Sequence, residues 1–309
     1  MFYKSYTNYQ KHFEGHRNQL FTSFKQGSSL TRLIYINCGI FLALKVIYIF
    51  FVLIGKSDIF YPIVMKWLAV PSDLKDLFYY PWTLGSYMFI QMDFLHLLFN
   101  MLWLYWFGSC FLNYFSQKQL TGVYLLGGLL GALLYIVAYN LFPYFNDIRS
   151  MSSAIGASAS VMAIVFAVCT YLPQHKVYIF LLGPVKLIYL ALFTALIDLL
   201  SIPYDNPGGH IAHLGGALFG WLFIQGIRKN IDLSSGIIKL LQHIGKFFFP
   251  QKKIKVSYKR TVSEMNDQEY NAYKKEQENR INAILDKISK SGYESLSKEE
   301  KEILFKGKN

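Results

Sequence analysis

The sequence predicts an all-α membrane protein: six spanning helices followed by a small helical tail. Three observations predict it. Of 309 residues, 53% are hydrophobic and 17% aromatic, while only 16% are charged, a balance that excludes an ordinary soluble domain. Six apolar runs approach or exceed the roughly 20 residues that a helix needs to cross about 30 Å of hydrocarbon. Lys and Arg gather before the first run and after the last, as on the flanks of spans that face the cytoplasm.

Taken in order, segment 1–29 carries Lys4, Lys11, Arg17 and Lys25 without a compact apolar core, so it reads as a cytosolic arm and not a cleavable signal peptide. Spans follow over 33–54, 94–111, 120–141, 154–172, 177–200 and 211–227. An even number puts both termini in the cytosol, with Lys118 and Lys176 in inner connections. Lys45, well inside the first span, snorkels toward an interface. The long connection 55–93 mixes Lys56, Asp58, Lys66 and Asp73 with Phe78, Tyr79, Trp82 and Tyr87, an interfacial composition, and its length implies either a functional loop or short helices of its own. Gly127-x-x-x-Gly131 in span three and Gly216-x-x-x-Gly220 in span six mark close helix approach. Residues 30–228 thus form the spanning core and 229–309 a basic linker with a cytosolic helical tail. In that tail Ile281, Ile284, Leu285 and Ile288 give helical spacing over 268–289. Ser291-Gly292-Tyr293 turns the chain, and a second helix starts at Ser297, with Glu300 closing a capping box.

The formal charge of +12 follows membrane topology, not a recognition helix, so the bilayer and not nucleic acid is the expected partner. Cys38, Cys110 and Cys169 all fall in spans, and an odd number there argues for small apolar side chains over a disulfide framework. His12, His16, His175 and His243 lie outside the spans without metal-ligand spacing to Cys or acidic residues, and there is no HExxH. No metal or cofactor is therefore expected. A transporter would need acidic residues inside its spans, and these are nearly absent.

Spans two, four and six run in the same direction, and His96, Ser158 and His213 fall in their first turns at the outer end. Three polar groups from separate segments are thereby predicted at one depth, where ionisable side chains are costly and retained for function. A serine attacks a peptide carbonyl when an adjacent base takes its proton and donors face the oxyanion that forms. Ser158 is the candidate nucleophile and His213 the base. Gly156 allows an irregular turn before Ser158, and amides at the start of span four, helped by the helix dipole, face the oxyanion. His96 and Asn100, four residues apart, share one helix face as further oxyanion donors. If span six packs its glycine stripe on span four, His213 is carried to Ser158. The blander readings are that a serine at a helix start is a cap, which suits Ser152, Ser153 and Ser160, and that a membrane histidine is interhelical glue. His210 precedes the stripe and reads as a loop residue. Asp198 reads as a satisfied polar group near the end of span five and not as a third catalytic member.

Over residues 30–228 the chain resembles the rhomboid family of intramembrane serine proteases. The motifs are His96-x-x-x-Asn100, Gly156-x-Ser158 and Ala212-His213-Leu214-Gly215-Gly216 with Gly220, in the family's order. The resemblance implies a six-helix bundle around a water-filled cavity open to the outside. It also implies a Ser158–His213 dyad that works without a catalytic aspartate, and an oxyanion hole of His96, Asn100 and the backbone near Gly156. The chain departs from it in having Ala159 where many members have glycine, Trp82-Thr83 where some carry Trp-Arg, and Met162 where some stack an aromatic ring. The charged tail looks like an extension of some bacterial rhomboids. The function implied is cleavage of other proteins' transmembrane segments near their outer ends, by a multi-pass protein of the plasma (inner) membrane. The alternative is a non-catalytic rhomboid-like protein that binds and escorts membrane clients.

Overall fold

The structure, a computed structural model, describes residues 27–179, 183–248 and 267–306. The N-terminal arm up to residue 26 and the linker over 251–266 lie outside them. The core helices are α1 (Ser29–Leu53), α2 (Ser57–Leu68), α3 (Leu74–Tyr79), α4 (Phe94–Leu112), α5 (Gln117–Leu141), α6 (Ser158–Tyr171), α7 (Leu187–Ser201) and α8 (Pro207–Arg228). α1, α4, α5 and α8 are long and apolar enough to cross a membrane, while α6 and α7 are apolar but only 14 and 15 residues long. At 1.5 Å per residue, α6 rises about 21 Å, less than the hydrocarbon thickness of about 30 Å. A helix of that length cannot place both of its ends at the two faces of the hydrocarbon layer, and Ser158 is its first helical residue.

α6 occupies the centre of the bundle, packed against α8, α5 and α4. Small residues make this possible. A Cβ at Gly216 or Gly220 of α8 would stand 1.9 Å from the Ala159 carbonyl oxygen and 2.1 Å from that of Ala163, so the two backbones touch directly. From α5, a Cβ at Gly127 would lie 2.2 Å from the Ala163 Cβ. Both glycine pairs therefore grip the same helix.

The two ends of the bundle differ. At one end the Ser29 amide and hydroxyl donate to Gln117, at 3.1 and 2.9 Å, and Arg228 donates to the Thr170 carbonyl at 3.1 Å. At the other, β1 (Val70–Pro71) from the long connection pairs antiparallel with β2 (Ser153–Ala154), in the register Val70 to Ala154. Asn140 at the end of α5 donates to the Ser72 carbonyl at 2.7 Å. This strand pair holds the chain just ahead of Ser158.

The connection 55–93 does contain short helices: α2, α3 and a single turn over Thr83–Ser86. Where Trp82-Thr83 replaces Trp-Arg, an aromatic cluster supplies the anchor. The Trp82 indole N–H donates to the Trp67 carbonyl at 2.9 Å, and the two rings stack with centroids 6.0 Å apart.

Two expected spans change. Residues 177–186 were expected to be helical, but β3 (Lys176–Ile179) and β4 (Gly183–Lys186) form an antiparallel hairpin, and α7 starts only at Leu187. Gly183 adopts φ +73°, and Pro184 beside it lacks the N–H that a helix interior needs, so the apolar run could not continue as helix. α8 starts at Pro207, four residues before the expected 211. Asn206 caps it by accepting from the Gly209 amide at 3.1 Å, and Pro207 has the φ that the first helical position needs.

Beyond α8, α9 (Ser235–Phe248) occupies what read as linker. A second compact unit, 250–309, holds α10 (Asp267–Ser291) and α11 (Lys298–Lys306). Within it Ile284 and Leu296 are buried, and Glu300 and Ser297 complete the expected capping box: the Ser297 amide donates to Glu300 Oε2 at 2.7 Å and the Glu300 amide to Ser297 Oγ at 3.2 Å.

Candidate active site

Because α4, α6 and α8 are parallel, their starts lie at the strand-pair end of the bundle. Asp93 caps α4 by accepting from the His96 amide at 2.8 Å, which sets His96 in the first turn. α6 has no side-chain cap at all. The amides of its first turn, Ser158 and Ala159 among them, therefore lack intrahelical partners and form a patch of donors at the positive end of the helix dipole. Ser160 does not cap the helix as expected; its hydroxyl is buried without a partner.

Ser158 and His213 are neighbours through the residues beside them. Ala159 and Ala212 both pack on Gly131 of α5: a Cβ there would meet the Ala159 Cβ at 2.7 Å and the Ala212 carbonyl oxygen at 2.8 Å. With Gly216 against Ala159, Ser158 and His213 each lie one residue from a contact that joins α6 to α8. His96 joins them, since a Cβ built on Gly156 would lie 3.4 Å from His96 Cε1 and 3.5 Å from Ser158 Oγ. Ser158 and His213 are half-buried and His96 is exposed. The Ser158 hydroxyl makes no side-chain hydrogen bond among the described residues.

Two oxyanion candidates are altered. The Gly156 amide donates to the Tyr87 carbonyl at 3.0 Å, so it is not free for an oxyanion. Gly156 contributes its φ of +131° and its missing side chain, which let the chain turn between His96 and Ser158. Asn100 is buried, and one of its amide protons goes to Gln91 Oε1 at 2.9 Å. Gln91 in turn donates to Asn37 Oδ1 at 3.3 Å, and Asn37 donates to the Tyr124 hydroxyl at 3.0 Å. The bond to Gln91 uses one Asn100 N–H, leaves the other outside it and fixes the side chain. The sequence did not single out Gln91 and Asn37; the signal available was a lone amide within the apolar first span.

Asp198 and His210 also depart from expectation. The early start of α8 places His210 on the helix and not in a loop, three residues before His213 and on the same face. Asp198 of α7 is buried, and its Oδ1 accepts from His210 Nδ1 at 2.8 Å and from His213 Nδ1 at 2.9 Å. Donor atoms of the three residues lie within 4.8 Å of one another, a set that could also hold a metal ion. The two N–H donors already satisfy the carboxylate without one.

A separate apolar groove of about 610 Å³, lined by residues including Trp103, Trp106, Val168, Val177 and Leu190, contains none of the candidate catalytic residues.

The family model of the Rhomboid domain matches residues 80–230, which contain every one of these site residues except Asn37. Residues 266–306 match a family of unknown function, DUF6576. The presenilin-associated rhomboid-like protein A, mitochondrial, of Danio rerio is 30% identical over 152 residues, 47% of this chain and 36% of its own length. Its Homo sapiens counterpart is 29% identical over 151 residues, 44% of this chain and 35% of its own. The RHOMBOID-like protein 12, mitochondrial, of Arabidopsis thaliana is 30% identical over 158 residues, 48% of this chain and 47% of its own. The chain thus spans between about a third and a half of the length of the curated relatives it matches.

These names correct the expected plasma-membrane location, because the relatives are mitochondrial proteins. Positive flanking charge reports which face of a bilayer a loop occupies; it carries no signal for which bilayer that is. What the Rhomboid domain matched over residues 80–230, the similarity to these relatives and the helical bundle do establish is that this chain belongs to the rhomboid family.

Proposed function

We propose that this protein is an intramembrane serine endopeptidase that cleaves transmembrane segments of other membrane proteins near the bilayer face where α4, α6 and α8 begin. His213 Nε2 takes the proton of Ser158 Oγ as that oxygen attacks the scissile carbonyl carbon. The carbonyl oxygen becomes an oxyanion, met by the first-turn amides of α6, the remaining Asn100 N–H and His96. The proton passes from His213 to the leaving amine as the C–N bond breaks, and water then hydrolyses the ester on Ser158 by the same route in reverse. A helical substrate shields its own peptide bonds, so it must unwind first, and Gly, Pro or polar residues near the cleaved end make that easier. The relatives' names make a mitochondrial membrane the setting to test first.

The observation that carries this reading is the common seat of Ala159 and Ala212 on Gly131, one residue away from nucleophile and base respectively. The test is cleavage of a designed transmembrane substrate in liposomes. Ser158→Ala and His213→Ala are each expected to lower the rate at least about 1000-fold. Equal cleavage by all three proteins rejects the dyad. No cleavage by any, with substrate still captured, favours the second reading, a rhomboid-like protein that binds and escorts clients. That reading draws on the absence of a hydrogen bond from the Ser158 side chain among the described residues.

A further inference from the structure

We propose that Asp198 is a positioning residue for His213, and that His210 shares its carboxylate as a second, non-reacting donor. This rests on the Ser158–His213 reading and adds to it a third element with which a two-residue site dispenses.

Asp198 is 6% exposed on a helix whose other nearby side chains, Leu196, Ile197, Leu199 and Leu200, face outward. A buried carboxylate on such a helix is costly unless its charge is met by hydrogen bonds. Among the described residues it has two partners, and both are imidazoles: His210 Nδ1 at 2.8 Å and His213 Nδ1 at 2.9 Å, converging on the same Oδ1. An ionised carboxylate only accepts, so each ring carries its proton on Nδ1. For His213 that choice has a chemical consequence. It leaves Nε2 with a lone pair, the form in which the ring can take the Ser158 proton. It also places a negative charge where it stabilises the imidazolium that follows. The bond to α7 provides the orientation of the ring. His210 reaches the same oxygen because it lies three residues earlier on α8.

A clip that merely fastened α7 to α8 would behave differently. The full chain in liposomes is assayed with the designed substrate, and thermal stability is measured in parallel, for wild type, Asp198→Asn, His210→Ala, His213→Ala and the double variant Asp198→Asn/His213→Ala. Asparagine keeps one acceptor oxygen but carries no negative charge to stabilise the His213 imidazolium, so Asp198→Asn should lower kcat at least about 100-fold with KM nearly unchanged. His210→Ala, which leaves His213 as sole donor, should retain activity within about threefold. In the His213→Ala background, Asp198→Asn should cost nothing further, because its effect runs through His213. An Asp198→Asn enzyme within about threefold of wild type, or an equal fractional loss with and without His213, overturns the proposal. Should Asp198→Asn fail to fold, the ¹⁵N-histidine spectrum of the wild-type chain decides, with the His213 signals assigned by their loss in His213→Ala. Protonated Nδ1 and bare Nε2 are expected near neutral pH, and the opposite tautomer overturns the proposal. Failure of the underlying dyad reads out separately, as wild type, Ser158→Ala and His213→Ala cleaving alike.

Discussion

Gly156 stands where a side chain would enter the space between the candidate nucleophile and the His96 ring. The contacts of an added methyl, 3.4 and 3.5 Å, are ordinary; the backbone angle of +131° is not. Gly156→Ala is therefore expected to destabilise the fold by about 1–2 kcal/mol through backbone strain, and to slow liposome cleavage about tenfold by shifting Ser158. Thermal unfolding in detergent and the substrate assay measure the two effects separately. Asn37 acts at the same scale without touching the chemistry. Its amide links Tyr124 to Gln91, and Gln91 in turn holds Asn100. Asn37→Leu removes those partners, leaves Gln91 Nε2 buried and unpaired, and should cost about 1–3 kcal/mol in detergent unfolding.

Helix contacts decide whether the site exists at all. α8 can approach α6 only because Gly216 and Gly220 present no side chain to the carbonyls of Ala159 and Ala163. Gly216→Ala forces the helices apart and is expected to cost about 1–3 kcal/mol with near-complete loss of cleavage, since His213 moves with the helix. Gly39→Ala on α1 is the control, because an added Cβ meets nothing within 4 Å. It should leave cleavage unchanged and raise stability by up to about 1 kcal/mol through helix propensity. In the tail, Glu300 titrates below its ordinary value because Lys287 bonds to it at 2.9 Å and the Ser297 amide donates to it. A depressed carboxylate stabilises the fold above its unfolded value, and that contribution fades as pH falls through the lower, folded value. The contact between α10 and α11 should hold at neutral pH and loosen in acid, and tail amide exchange followed against pH measures it.

At the scale of the molecule there are two compact units, one ending at Phe249 and the other running over 250–309. The candidate chemistry lies wholly in the first. Deleting 250–309 is expected to leave liposome cleavage within about threefold of the full chain, as for a unit with its own core. If the tail instead serves partner binding or regulation, as its separate helical pattern suggests, the deletion alters cellular turnover or complex formation while in vitro cleavage persists. The charged tail and the apolar core were separable in the sequence because their compositions differ. α9 was not, since a short amphipathic helix beside a basic stretch reads as linker.

The sequence by itself determined that six apolar helices form, that three parallel ones carry His96, Ser158 and His213 near the same end, and that glycine stripes allow close packing. The helices and the stripes follow from composition and spacing within one segment, and the common direction of the three follows from the alternation of successive spans. Only the tertiary structure decided that the Gly156 amide belongs to Tyr87, that Asn100 is held through Gln91, and that Asp198 lies between His210 and His213. Those are bonds between residues on different helices, and periodicity says which face of a helix is apolar, not which polar group on a neighbour will meet it. The starting point of α8 shows the same division: Asn206-Pro207 capped the helix one turn early, which moved His210 from an expected loop onto the face it shares with His213.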